Sequence, residues 1–342
     1  MNSSCNKDEN FGEVNTDTVS HYRQEKGIYV VNEGVFGNGN GSVSFYSTDS
    51  GDISADVFYS ANGIPLGDVP VSITIHDSLA YVVVNNSARI EVVRMRDFKR
   101  MATITGFVSP RRMLIVGNDK AYVSDLKTPS LYIVNLATNA ITGNVTLGKA
   151  GENLMQVGNE VFVTNWSNYF VTQPNKTVQI VNVNSDLIID SIAVVKEPNS
   201  LVLDKNGKMW VLSSGGYMHE EMAALQRIDP ANHTVEQTYT FTQTNDYPTA
   251  LSINTAKDEL MFVNKGVFRM GIADALLPAS PLIVEGIHTF TNAVTDSGGQ
   301  YIYVTDAKDY LQNGTLIIYT IAGVEMKSVN VGISPGFMVF GE

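Results

Sequence analysis

One short phrase recurs seven times along this 342-residue chain and constrains its fold more than any other feature. Each copy is an aromatic residue followed by valine and, one to three residues later, by Asn, Asp or Ser. The aromatic residues are Tyr29, Tyr81, Tyr122, Phe162, Trp210, Phe262 and Tyr303, and they are spaced by 52, 41, 40, 48, 52 and 41 residues. A period in the forties that is built from strands is typical of a β-propeller blade. We therefore expect an all-β fold with seven blades.

The third copy shows how one blade is divided into four antiparallel strands. Residues 112–116, 121–124, 131–135 and 141–147 each alternate apolar and polar residues or form a short apolar run. The intervening reversals contain Gly, Asn and Asp, which accept the backbone conformations of tight hairpins. The same pattern in the other copies predicts four strands in each blade and almost no helix. Only two short segments, His219–Ala224 and Ala273–Leu277, look helical.

The two ends of the repeat predict how the ring closes. The first blade begins with its second strand at Ile28, so it lacks an innermost strand of its own. An apolar segment, residues 336–340, is left over after the last strand of the seventh blade. Pairing these two segments would leave no open sheet edge within the ring. We therefore expect residues 27–342 to form one propeller domain, closed by a C-terminal strand that joins the N-terminal blade.

The N-terminal 26 residues have a different character. The only cysteine, Cys5, lies near the start and is followed by a polar stretch with little strand or helix pattern. A lipidated cysteine followed by a flexible tether is typical of a mature bacterial lipoprotein, whose apolar signal segment lies upstream. The Lys7-Asp8-Glu9 run also resembles a surface-export signal of lipoproteins in some Gram-negative gut bacteria. We expect lipidation of Cys5, a tether over residues 1–26 and a location at the outer-membrane surface.

The composition disfavours two classes of partner. With 23 basic and 35 acidic residues the net charge is −12, and the basic residues are scattered. Nucleic-acid binding needs a basic stripe, so DNA and RNA are not expected partners. No apolar run of about 18 residues is present, so no membrane-spanning helix is predicted, and the lipid on Cys5 is the only expected membrane contact.

The predicted loops differ in length between the two faces of the propeller. Four of the loops that join second to third strands are long, and they lie on the same face as the loops that link successive blades. Insertions confined to one face of a repeat protein usually mark its binding surface. The candidate ligand-binding residues on this face are aromatic residues, carboxamides and one arginine: Phe36, Asn85, Arg111, Asn165, Trp166, Tyr169, Tyr217, Tyr247, Phe290, Asn292 and Tyr310.

Motifs of catalysis are missing from the sequence. The five histidines have no zinc-ligand spacing, and neither a Gly-x-Ser-x-Gly elbow nor a phosphate-binding loop is present. We therefore expect no catalytic residue, no metal ligand and no catalytic cofactor. A calcium-dependent hydrolase or lyase stays open as an alternative, because several polar residues end second strands and could point into the channel: Glu33, Asn85, Asn165, Asn264 and Asp306. Short polar residues also favour turns, which explains them equally well.

From Gly27 to Phe340 the repeated aromatic–valine–x–Asn phrase resembles the seven-bladed YVTN-type propellers of surface-layer proteins. The phrases at residues 29–34 and 41–46 resemble more narrowly the surface lipoproteins of gut bacteria, including the BtuG-type vitamin B12-binding lipoproteins. The resemblance implies a non-enzymatic protein that captures cobalamin or a related corrinoid and passes it to a TonB-dependent, BtuB-like outer-membrane transporter. In that case His219 or His288 could ligate cobalt. A scaffold that only binds other proteins in the cell envelope is the other alternative.

Overall fold

The computed structural model describes residues 26–167 and 175–341. In this part of the chain, 28 strands and one short helix are present. The strands form seven antiparallel sheets of four strands each, and the innermost strands contact one another around a central channel. The seven-bladed β-propeller that the repeat predicts is therefore confirmed.

The strands of each blade follow one another in the sequence, except in blade 1. Blade 1 contains β28 (Pro335–Gly341), β1 (Gly27–Asn32), β2 (Ser42–Ser47) and β3 (Ile53–Ser54). Blade 2 contains β4 (Pro70–His76), β5 (Leu79–Val84), β6 (Arg89–Arg94) and β7 (Arg100–Thr105). Blade 3 contains β8 (Pro110–Ile115), β9 (Lys120–Asp125), β10 (Ser130–Asn135) and β11 (Ala140–Thr146).

The remaining four blades have the same internal order, from the channel outward. Blade 4 contains β12 (Leu154–Val157), β13 (Glu160–Thr164), β14 (Thr177–Asn182) and β15 (Leu187–Ala193). Blade 5 contains β16 (Pro198–Leu203), β17 (Met209–Ser213), β18 (Ala224–Asp229) and β19 (Thr234–Thr240). Blade 6 contains β20 (Thr249–Ile253), β21 (Glu259–Val263), β22 (Gly266–Gly271) and β23 (Ile283–Val284). Blade 7 contains β24 (Phe290–Thr295), β25 (Tyr301–Asp306), β26 (Asn313–Thr320) and β27 (Glu325–Ile333).

The repeated aromatic–valine phrase forms the second strand of every blade, and its side chains fill the spaces between blades. All seven aromatic residues of the phrase are buried, with at most 4% of any one exposed. The spaces between blades hold seven hydrophobic clusters, each shared by two neighbouring blades, and the seven aromatic residues belong to six of them. Between blades 1 and 2, for example, the ring of Tyr29 lies 4.7 Å from that of Phe45 and 5.5 Å from that of Phe98. Burial of these rings is the main driving force that holds the blades together.

The ring closes as the sequence predicts. Strand β28 pairs antiparallel with β1, with Phe340 opposite Ile28 and Met338 opposite Val30. The side chains of β28 also reach blade 7, where the ring of Phe340 meets Tyr303 edge-on at 5.5 Å. The C-terminal strand therefore ties the first blade to the last.

The helix predictions were wrong. Ala224 begins β18 and the residues before it form an irregular loop, because His219 adopts a left-handed backbone conformation (φ 54°). Residues 273–277 are also irregular, since the carboxylate of Asp274 accepts the N–H of Gly271 at 2.8 Å and closes a tight turn instead.

The helix that does form, α1 (Val57–Asn62), was not predicted. The side chain of Asp56 caps its first turn by accepting the N–H of Tyr59 at 3.0 Å, and Gly63 ends it with a φ of 67°. Val57 and Phe58 are completely buried against the cluster between blades 1 and 2. The capping pair, Asp and Gly seven residues apart, was the available sequence signal.

The closing strand provides a direct test of the fold. Met338 is 5% exposed and packs between blades 7 and 1, so Met338→Asp places a charge within an apolar cluster. We expect the free energy of unfolding to fall by about 3–5 kcal/mol, measured by chemical denaturation. The matched control is Met326→Asp on β27, where 59% of the side chain is exposed and the charge stays in water. Equal losses in both variants would contradict the closure.

Candidate functional site

The innermost strands begin with irregularities that turn side chains toward one end of the channel. In every blade except blade 4, the pairing of the inner strand with its neighbour shifts near the first residue of the strand. Such β-bulges redirect the side chains that the pairing skips. The skipped residues are Gly336, Val71, Arg111, Arg112, Asn199, Ala250, Leu251 and Thr291. All of them except Val71 line one cavity.

This channel-mouth cavity has a volume of about 590 Å³, which is within the range of small-molecule sites. The inner strands supply its floor, and the rim includes residues of second-to-third loops such as Trp166 and Tyr310. Its aromatic lining comprises Trp166, Tyr247, Phe290, Tyr310 and Phe337. Its carboxamides are Asn153, Asn199, Asn264 and Asn292, and its charged residues are Glu33, Arg111, Arg112, Glu152, Lys265 and Glu285.

Two arginines lie side by side in the cavity wall and are held differently. Arg111 binds Glu152 through two parallel bonds, Nε to Oε2 at 2.7 Å and Nη2 to Oε1 at 2.9 Å, and its guanidinium lies 5.4 Å from the ring of Trp166. Arg112 lies 4.8 Å over the ring of Phe337 and donates from Nη1 to the carbonyl of Val71 at 2.6 Å. The buried Nε of Arg112 has no hydrogen-bond partner within the described ranges.

Glu33 supplies a second carboxylate next to these arginines. Desolvation by burial raises the pKa of the Glu33 carboxyl above its usual value, although the positive charges of Arg111 and Arg112 oppose the shift. Among residues 26–167 and 175–341, none donates a hydrogen bond to this carboxylate. The polar part of the cavity thus combines the ion pair between Arg111 and Glu152 with the Glu33 carboxyl, whose charged form is destabilised by burial.

Two of the predicted ligand-binding residues, Asn85 and Asn165, form hydrogen bonds within the ring. Asn85 is 8% exposed, and its amide donates to Ser109 Oγ and to the carbonyl of Pro110, both at 2.9 Å. Asn165 is fully buried and donates to the carbonyl of Ala150 at 3.2 Å and to Gln179 at 2.8 Å. Both side chains connect the end of a second strand to an inter-blade loop or a neighbouring strand.

Two further residues in the proposed calcium set, Asn264 and Asp306, have similar contacts. Asn264 accepts the N–H of Tyr247 at 3.1 Å, and Asp306 accepts that of Thr289 at 2.8 Å. Across the described ranges, no group of three or more His, Cys, Asp or Glu side chains could hold a metal ion. In the same ranges, no helix is long and apolar enough to cross a membrane.

Six of the eleven predicted ligand-binding residues line the channel-mouth cavity: Arg111, Trp166, Tyr247, Phe290, Asn292 and Tyr310. Phe36 and Tyr217 do not line it, and 74% and 60% of their surfaces are exposed on neighbouring loops. Tyr169 and Cys5 lie outside the described residues. Of the histidines considered for cobalt, His219 meets the ring of Tyr247 edge-on at 6.3 Å, and His288 Nδ1 bonds Asp306 Oδ2 at 2.7 Å.

Several cavity residues were not selected as candidates, although the sequence placed them in the inter-blade loops of the predicted binding face. Arg112, Glu152, Asn153 and Asn199 all lie at the start of an inner strand or directly before it. For Arg112 and Asn199 the signal was a proline at the first residue of the strand, Pro110 and Pro198, since proline is tolerated at the first position of an edge strand. The residues that directly follow such a proline were therefore further candidates for the lining of the cavity.

These features define a seven-bladed propeller with a polar, aromatic-lined cavity at one mouth of its channel. The chain belongs to the family described as Domain of unknown function (DUF5074), whose model matches residues 26–325. No curated protein sequence matches it.

Several solved structures share the fold at low sequence identity. A quinonprotein alcohol dehydrogenase-like protein from Bacteroides thetaiotaomicron is 16% identical over 94% of this chain and 80% of that chain, with a TM-score of 0.71. Hydrazine synthase from Kuenenia stuttgartiensis is 12% identical over 78% of this chain and 88% of that chain, with a TM-score of 0.60. The WD40 propeller domain of Doa1 is 12% identical over 84% of this chain and 88% of that chain, with a TM-score of 0.62. These likenesses show the fold alone.

The raised pKa of Glu33 predicts a pH-dependent cost. Above the folded-state pKa the carboxylate is charged and desolvated, whereas below the unfolded value of 4.5 it is protonated in both states and the cost disappears. We expect Glu33→Gln to raise the thermal midpoint at pH 8 and to leave it nearly unchanged at pH 4. The control is Glu325→Gln at an exposed position on β27, which should leave the thermal midpoint unchanged at both pH values. A lower midpoint for Glu33→Gln at pH 8 would show that the arginines outweigh desolvation.

The contacts of Asn85 predict that it stabilises the fold. Asn85→Ala leaves the carbonyl of Pro110 without its donor, so the free energy of unfolding should fall by about 1–3 kcal/mol in chemical denaturation. Asn118→Ala, in an exposed turn of blade 3, is the matched control and should change it by no more than about 0.5 kcal/mol. Unchanged stability in Asn85→Ala would contradict this structural role.

Proposed function

We propose that this protein captures cobalamin or a related corrinoid in the channel-mouth cavity without changing it chemically. A corrinoid presents a flat ring edged with amide side chains and a nucleotide loop. Such a ligand needs aromatic area together with fixed hydrogen-bonding groups, and both kinds of group line this cavity. A closed propeller beneath the loops keeps the groups preorganised, which lowers the entropic cost of binding.

The observation that carries this proposal is the hydrogen bonding of two carboxamides in the cavity, Asn292 and Asn153. Asn292 donates its amide N–H to the carbonyl of Gly336 at 3.2 Å, and Asn153 donates to the carbonyl of Asn199. These bonds fix the orientation of both groups. Within the described ranges, neither side-chain carbonyl oxygen accepts a hydrogen bond. Two fixed acceptors in an aromatic cavity suit a ligand whose edge carries amide N–H donors.

The charges in the cavity support a neutral, amide-bearing ligand more than a strongly charged one. Glu152 neutralises Arg111 through a bidentate pair and lies 3.7 Å from Arg112. Arg112 also lines the cavity, and its guanidinium is a donor for a single acceptor such as the phosphate of the nucleotide loop. We propose that the bound corrinoid is passed on to a TonB-dependent outer-membrane transporter.

Calorimetric titration with cyanocobalamin tests the binding step. We expect saturable heat with one ligand per chain, and a loss of affinity of about 10- to 100-fold in Tyr247→Ala, since the substitution removes one aromatic contact. Tyr217→Ala is the matched control, because Tyr217 does not line the cavity. Absence of any heat with the parent protein would favour a protein-binding scaffold. An equal loss in both variants would place the ligand elsewhere on this face.

We further propose that Cys5 carries the lipid that anchors the protein to the outer membrane. Expression of the full precursor in a Gram-negative host should yield protein that incorporates labelled palmitate and is digested by protease added to intact cells. Cys5→Ala should abolish the label and release the protein from the membrane fraction. Retention of the label in Cys5→Ala would contradict this anchor without bearing on corrinoid binding.

A further inference from the structure

A second cavity lies between blades 5 and 6, away from the inner strands. It has a volume of about 760 Å³ and lies between β19, with the segment that follows it, and residues 275–279. We call it the lateral cavity. Its cause is the short outer strand of blade 6: β23 has two residues and pairs only with Gly266 and Val267 of the six-residue β22. The outer strands of blades 2–5 and 7 have six to nine residues. Residues 272–282 bypass the rest of β22, and a space remains beside it.

The inner wall of the lateral cavity is aromatic. Phe262 and Phe268 lie parallel, with an interplanar angle of 1° and ring centres 5.4 Å apart, and Phe241 meets Phe262 edge-on at 5.6 Å. Tyr239 also lines the wall, and its hydroxyl donates to the carbonyl of Asp274 at 3.1 Å. Leu276, which is 79% exposed, lies on the opposite side with Leu277 and Pro278. Flat or aliphatic groups fit between two such walls.

The polar rim contains one cation, Lys265, and one carboxylate, Asp246. Asp246 is occupied, since it accepts hydrogen bonds from Asn264 at 2.9 Å and from the N–H of Gln243 at 3.0 Å. Lys265 Nζ donates to the carbonyl of Asn245 at 3.0 Å and forms no ion pair with any described residue. The rim therefore offers a lysine ammonium that pairs with no described carboxylate, in a protein whose net charge is −12.

We propose that the lateral cavity is a second binding site, for a small molecule with a flat aromatic body and a single anionic group. The body lies against the wall of Phe241, Phe262 and Phe268, and the anion lies at Lys265. The site is separate from the channel-mouth cavity and does not depend on the proposed corrinoid binding. The turn that contains Asn264 and Lys265 lines both cavities.

A filling substitution tests where such a molecule binds. The probe is 1-anilinonaphthalene-8-sulfonate, whose fluorescence rises when it leaves water. We expect saturable binding of one probe per chain, and a loss of affinity of about tenfold or more in Ala275→Trp, which adds an indole ring to the segment 275–279 that lines the lateral cavity. The matched control is Ala137→Trp, at an exposed turn of blade 3, which should bind like the parent. Non-saturable binding, or equal affinity of the two variants, would overturn the proposal.

The role of the charge is tested with a pair of probes. N-phenyl-1-naphthylamine has the same ring system without the sulfonate. Lys265→Gln should weaken binding of the sulfonate probe by about fivefold and leave binding of the neutral probe unchanged, because only the ion pair is lost. Lys127→Gln, at an exposed turn in blade 3, should affect neither probe. Equal weakening of both probes by Lys265→Gln, or no weakening of either, would overturn the assignment of the anion to Lys265.

Discussion

The structure depends on the packing of second strands between neighbouring blades. Each aromatic–valine phrase is buried on both faces of its blade, so a blade separated from its neighbours would expose two hydrophobic surfaces. The ring is therefore stable only as a whole, and strand β28 is decisive because it joins blade 1 to blade 7. The polar residues that end the second strands add hydrogen bonds to the loops between blades, as Asn85 and Asn165 show.

This rigidity explains how a cavity can be built from the inner strands. An inner strand pairs with the rest of its blade on one side only, and its bulged residues are free to turn toward the channel without disturbing the packed strands behind them. Arg111, Arg112 and Asn199 reach the cavity in this way. The protein thus separates stability, which the second strands supply, from recognition, which the inner strands and the long loops supply.

Much of the candidate site could be predicted from the sequence, but not all of it. Long loops on one face led to Trp166 and Tyr310, and inter-blade loops led to Arg111, Tyr247, Phe290 and Asn292. Asn85 was placed among the ligand contacts because a residue that ends a strand can either point into the channel or bond to the next loop. The sequence pattern is the same in both cases, and only the positions of Ser109 and Pro110 decide between them.

The sequence by itself determined the fold, the number of blades and the closure of the ring. These properties follow from the repeat, since a strand phrase that recurs every 40 to 52 residues, with strand patterns between its copies, is typical of propeller blades. The tertiary structure alone decided which polar side chains meet in the channel mouth, that helix α1 forms rather than the two predicted ones, and that a short β23 leaves a lateral cavity. The reason is physical: these outcomes depend on contacts between residues far apart in the chain, such as Glu33 with Arg112 or Phe241 with Phe262, for which local sequence carries no signal.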